Sequence, residues 1–74
     1  MKLHRLSATE TELHRDNDVI FFSYDTPVAF FQSGKGYFRT DTPFSKTTSR
    51  HINTWLAGRK AQVVAQEQVE AFLN

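Results

Sequence analysis

Val19-Ile20-Phe21-Phe22-Ser23-Tyr24, Asp25-Thr26-Pro27, Val28-Ala29-Phe30-Phe31-Gln32, Ser33-Gly34-Lys35-Gly36 and Tyr37-Phe38-Arg39-Thr40 follow one another without interruption. The first, third and fifth pieces are rich in β-branched and aromatic residues, the composition of strands. Asp25-Thr26-Pro27 reads as a turn, since proline lacks an N–H and is poorly placed inside a paired strand. Ser33-Gly34-Lys35-Gly36 reads as a second, tighter turn, where two glycines supply positive φ. The stretch therefore predicts a three-stranded antiparallel meander, the smallest sheet that is plausibly stable by itself.

The character of the chain changes after Pro43. Ser45 is placed to cap a helix over Lys46–Ala57, and Gly58 suits the left-handed position beyond its end. Thr48, Ile52, Trp55 and Leu56 share one face at helical spacing, while Lys46, Arg50, Asn53 and Ala57 line a neighbouring, solvated face. Val63-Val64 is either a short strand or an extended link. A last helix starts at residue 65 or 66, with Val69, Phe72 and Leu73 on one side. On the N-terminal side, residues 1–18 are polar, with a loose alternation at Leu3, Leu6 and Leu13 that allows a short strand near 10–14. Asp16-Asn17-Asp18 then reads as a turn.

These readings give one domain over 1–74, made of a polar N-terminal segment (1–18), a β-meander (19–44), a helix (45–58) and a short C-terminal helix (66–73). The fold class is α+β: a small antiparallel sheet of three to four strands, packed on one face by a main helix and a short C-terminal helix.

Eight of the ten aromatic residues lie between Phe21 and Phe44. A chain of 74 residues buries only roughly 60% of its unfolded surface, so each ring matters to the core. Adjacent strand residues point to opposite faces. Phe21-Phe22 and Phe30-Phe31 therefore imply either a sheet covered on both faces or one that presents rings to a partner.

Composition excludes several classes. There is no cysteine, which removes disulfide scaffolds and thiolate zinc sites. The longest apolar run, Val19–Phe22, is far short of the roughly 20 residues needed to span a bilayer. The first residues carry no apolar signal-peptide core. A soluble, cytoplasmic domain without a membrane partner is expected.

The formal net charge of +1 conceals a segregation. Residues 34–60 carry Lys35, Arg39, Lys46, Arg50, Arg59 and Lys60 against Asp41 alone, whereas the remainder carries three cations against seven acids. A basic middle between acidic flanks suggests an anion-facing surface, and Ser45-Lys46-Thr47-Thr48-Ser49-Arg50-His51 concentrates hydroxyls and cations at a helix start. The structural reading is that Ser45 only caps and the cations only solvate. The overall pI of about 8.2 is below the value of about 9 expected of a strongly basic nucleic-acid-binding domain.

Catalytic signatures are weak. Ser45 or Ser49 with His51 is a poor nucleophile–base pair at this spacing, since residues two apart on a helix diverge. There is no Gly-x-Ser-x-Gly elbow, and Gly34-Lys35-Gly36 is too short for a phosphate-cradling loop. Asp16-Asn17-Asp18 begins like a calcium loop, but Phe21 and Pro27 occupy the positions that need Gly and Glu. No enzyme activity, cofactor or metal site is expected.

Tyr24-Asp25-Thr26-Pro27-Val28-Ala29 and Ser45-Lys46-Thr47-Thr48-Ser49-Arg50-His51-Ile52 resemble a family of very small proteins of unknown function encoded by bacteriophages, bacteria and archaea. In that family a Tyr-x-Thr-Pro-Val-Ala hairpin precedes a Ser-x-Thr-Thr-Ser-Arg/Lys-His segment. The resemblance covers residues 19–58 and implies a short, phage-related accessory protein acting in the host cytoplasm by binding. Two partners are expected from the residues. One is DNA or RNA, held by Lys35, Arg39, Lys46, Arg50, Arg59 and Lys60 with Ser45, Thr47 and His51. The other is a protein, either a host factor or a second copy, met by exposed aromatics or a sheet edge.

Overall fold

The computed structural model describes residues 1–74, with six strands lying in one sheet in chain order. They are β1 (Lys2–Ser7), β2 (Glu10–Arg15), β3 (Asp18–Ser23), β4 (Thr26–Gln32), β5 (Gly36–Thr40) and β6 (Ala61–Val64). Helix α1 (Lys46–Leu56) connects β5 to β6, and α2 (Gln66–Leu73) follows β6. The first five strands pair antiparallel, whereas β6 pairs parallel to β5. The α+β class holds, and the sheet is both larger and more mixed than a meander of three to four antiparallel strands. A parallel pair needs a crossover of a dozen or more residues, and α1 with its flanking loops supplies it.

The predicted meander is present as β3, β4 and β5. The polar segment 1–18 supplies two further strands, β1 and β2, joined by a tight turn at Ala8-Thr9. Pro27 is not in the turn, as its missing N–H suggested, but is buried within β4, opposite Phe22. A register irregularity between Phe21 and Phe22 sits at the same place. Bulges are where a sheet tolerates proline, because local pairing is already broken there. The turn itself is Tyr24-Asp25, with Tyr24 left-handed at φ 57°.

Sheet alternation sends the adjacent rings to different sides, and a different helix covers each side. On one face α1 packs Ile52 and Leu56 against Phe21, Val28 and Ala29. On the other, Val69 of α2 joins Leu13, Ile20 and Phe30, with Phe38 and Phe72 alongside. Phe30 stacks between Phe38 and Phe72, with ring centroids 4.7 and 4.0 Å away. The two helices thus sandwich the sheet instead of sharing a face. This arrangement is what allows both rings of the Phe21-Phe22 and Phe30-Phe31 pairs to find apolar neighbours.

The ends of α1 follow from local chemistry. Ser45 is extended and its hydroxyl accepts from the Thr48 N–H at 3.1 Å. The helix ends at Leu56, one residue short of the expected Ala57, because Ala57 is left-handed at φ 52° ahead of Gly58 at φ 83°. The C-terminal helix is pinned by Arg15, which donates to the carbonyls of Phe72 and Leu73 and lies 5.3 Å from the Phe72 ring centroid.

Candidate nucleic-acid interface

Helix α1 has two polar faces with opposite fates. The inward one carries Thr48 and His51, which meet Ser23 of β3, with the N-cap Ser45 reaching Thr48 from the helix start. Thr48 Oγ1 is 3.1 Å from Ser23 Oγ and accepts from the Ser45 hydroxyl at 3.2 Å. His51 Nδ1 lies 2.9 Å from the same Ser23 oxygen, and His51 Nε2 lies 3.4 Å from Thr9 Oγ1. Tyr24 adds a ring contact at 5.9 Å from His51. Ser23 and Thr48 are almost wholly buried, at 2% and 6% exposure. Buried hydroxyls need partners, and here they satisfy one another across the helix–sheet boundary. Ser45, Thr48 and His51 thus join two segments that are distant in sequence, and no carboxylate takes part in these contacts.

The outward face carries Lys46, Ser49, Arg50 and Asn53 at helical spacing. With Ser45, Thr54 and Pro43 they line a shallow groove of about 570 Å³. Arg39 reaches the same face from β5, its Nη1 donating to Asn53 Oδ1 at 3.4 Å. No carboxylate lines the groove, and no lysine or arginine of the chain forms an ion pair; the one close contact of that kind is His14–Glu12. The first turn of α1 contains no acidic residue and starts with Lys46. Lys46 there opposes the helix dipole, so its placement does not serve helix stability.

The other basic residues are distributed differently. Arg59 lies beyond the far end of α1, its guanidinium 5.3 Å from the Tyr37 ring centroid. Lys60 follows it and is exposed, and Thr47 is exposed outside the groove lining. Lys35 sits in the β4–β5 turn beside Phe38, Gln62, Gln68 and Phe72, on the α2 side of the sheet. The structure thus brings Arg39, Lys46 and Arg50 together, leaves Arg59 and Lys60 at the end of α1, sends Lys35 to the opposite face, and turns His51 inward.

One further cluster gave little sign in the sequence. His14, Val19, Phe31 and Tyr37 are successive cross-strand partners on β2, β3, β4 and β5, with Ala61 of β6 next in line. They form a row that α1 leaves partly open past its C-terminal end. Trp55, Arg59 and Glu12 close the row into a cup of about 270 Å³. Glu12 fixes two of its walls: Oε2 accepts from Trp55 Nε1–H at 2.6 Å, and Oε1 from His14 Nε2 at 2.8 Å. Only the register, set by turn lengths and the bulge in β3–β4, puts these residues side by side.

No group of three or more His, Asp or Glu side chains converges on a metal-binding geometry, and no helix is long and apolar enough to cross a membrane. A family model described as a family of unknown function (DUF8033) matches residues 1–71. No curated protein and no solved structure matches the chain.

Proposed function

The chain belongs to the DUF8033 family, and from that premise we propose that it is a non-enzymatic accessory domain that binds nucleic acid along the outer face of α1. The observation that carries this reading is the acid-free groove in which Lys46 and Arg50 stand unpaired beside Ser45, Ser49 and Asn53, with Arg39 on its flank. Arginine and lysine with hydroxyl and amide donors are the usual partners of phosphodiester oxygens. Unpaired cations side by side, with Lys46 set against the helix dipole, are explained by an anion that lies over them. The likeness of the two motifs to short phage-borne proteins supports an accessory role in a host cell. Fluorescence anisotropy with labelled DNA and RNA oligonucleotides tests the reading. Binding at low salt whose logarithm falls linearly with log salt is expected, since neutralised phosphates release counterions. Absence of binding to either polymer at low salt overturns it.

A protein-interaction reading is favoured by β1. All six of its residues are exposed, including Leu3 and Leu6, and it forms one free edge of the sheet. Such an edge pairs with another strand unless charges blunt it, and β1 carries Lys2 and Arg5. Concentration-dependent protection of β1 amides in hydrogen exchange, with a matching rise in sedimentation mass, is the expected sign of self-association. A monomer with unprotected β1 at every concentration removes the homodimer.

A further inference from the structure

The cup beyond α1 combines features that a packed core does not need. Phe31 and Tyr37 present tilted rings with centroids 4.8 Å apart, and Trp55 meets Tyr37 edge-on at 5.6 Å. Arg59, exposed to solvent, lies over Tyr37 and not beside a carboxylate. The one acid in the lining, Glu12, has both oxygens engaged by Trp55 and His14, so it orients those rings.

The volume, about 270 Å³, lies near the lower limit of roughly 300 Å³ for small-molecule sites and suits one planar ring system. Phosphate is a poor occupant, because Val19 and Phe31 would desolvate it without donating hydrogen bonds. A planar, polar-edged aromatic is a good one. One of its faces rests on the open ring surface of the cup, with the Arg59 guanidinium and His14 at its edges.

The cup also continues the α1 groove. Tyr37 and Arg39 are alternate residues of β5 and leave the sheet on the same side, about 6.7 Å apart along the strand. Arg39 in turn donates to Asn53 of the groove at 3.4 Å. We infer that the cup seats one unpaired base of a single-stranded nucleic acid whose phosphates run along the α1 groove. This inference rests on the nucleic-acid reading above and narrows it from any polyanion to one with accessible bases. Duplexes hide base faces in their stack, whereas single strands offer them to aromatic platforms.

Trp55 is the only tryptophan in the chain, so its emission reports occupancy of the cup without any label on the chain. Three probes of equal length, about 12 nucleotides to match a typical single-strand site, separate the two levels of inference: oligothymidylate, an oligomer of abasic sites with the same phosphates, and a duplex. Oligothymidylate is expected to change Trp55 emission saturably and to bind about tenfold more tightly than the abasic oligomer at equal salt. The duplex is expected to bind without that emission change. Tyr37→Leu, which keeps apolar volume but removes the ring, is expected to lower oligothymidylate affinity to the abasic level while leaving the abasic affinity unchanged. Equal affinities for oligothymidylate and the abasic oligomer, with Trp55 emission unmoved by both, overturn the base-seating inference and leave the groove standing. Failure of all three probes to bind at low salt overturns both.

Discussion

Ser23 Oγ of β3 stands 2.9 Å from His51 Nδ1 of α1, and Ser23 is 2% exposed. The pair bridges residues separated by 28 positions and completes the contact between the edge of the meander and the main helix. His51→Ala is expected to cost about 1–2 kcal/mol, since it strips a partner from a buried hydroxyl. Ser23→Ala is expected to cost a similar amount, and the double variant less than the two together, because both delete the same contact. Urea titrations of the four proteins measure the cycle. Strict additivity would show that Ser23 and His51 do not interact in solution.

The helix ends make a sharper pair of expectations, because they have opposite signs. Ser45→Ala removes the hydroxyl that accepts from Thr48 N–H and is expected to destabilise by about 1 kcal/mol. Ala57 is left-handed at φ 52°, a conformation that costs an L-residue roughly 1–2 kcal/mol. Ala57→Gly relieves that strain but gives the unfolded chain more freedom, so a net gain of about 0.5 kcal/mol is expected. Thermal melts read both, and a destabilised Ala57→Gly protein would contradict the left-handed cap.

Arg15 carries most of the polar attachment of α2, donating to the Phe72 and Leu73 carbonyls while facing the Phe72 ring. A cation at a helix C-terminus also complements its dipole. Arg15→Ala is expected to cost about 1–2 kcal/mol and to raise hydrogen exchange across α2 before the rest of the protein responds. Exchange that rises uniformly would mean that α2 does not open as a separate unit.

What the sequence revealed divides along the range of the interactions. The meander, α1 with its Ser45 cap, and the face made by Thr48, Ile52 and Leu56 all rest on local patterns of period 2 or 3.6, and all were legible. β1 was not, because its six residues are exposed and leave no alternation for burial to impose. β6 spans four residues and becomes a strand only through parallel pairing with β5 across the α1 crossover. The side of the sheet taken by α2 depended on which partner the Phe30 face acquired. The same distinction applies to the candidate interface. Lys46 and Arg50 were visible as helical neighbours, while Ser23, Thr48 and His51 converge, and His14, Phe31, Tyr37 and Trp55 meet, only once register and helix placement are known.

Lys35 and Arg50 belong to the same basic stretch of the sequence, yet they occupy opposite faces of the sheet, and this separates electrostatics from geometry. A nucleic acid attracted only by net charge would respond equally to losing either cation. One that lies along α1 would not. Arg50→Glu is expected to weaken oligonucleotide binding strongly and to reduce the slope of log affinity against log salt by about 1, the value for one lost phosphate contact. Lys35→Glu, with the same change in charge, is expected to leave the slope unchanged and to lower affinity only slightly through long-range potential, which salt screens beyond about 10 Å at 0.1 M. Both side chains are exposed, and neither forms an ion pair, so the fold is expected to survive and circular dichroism to match the parent. Salt titrations of the two variants provide the measurement. Equal slopes for Lys35→Glu and Arg50→Glu would place the polyanion elsewhere than on the outer face of α1.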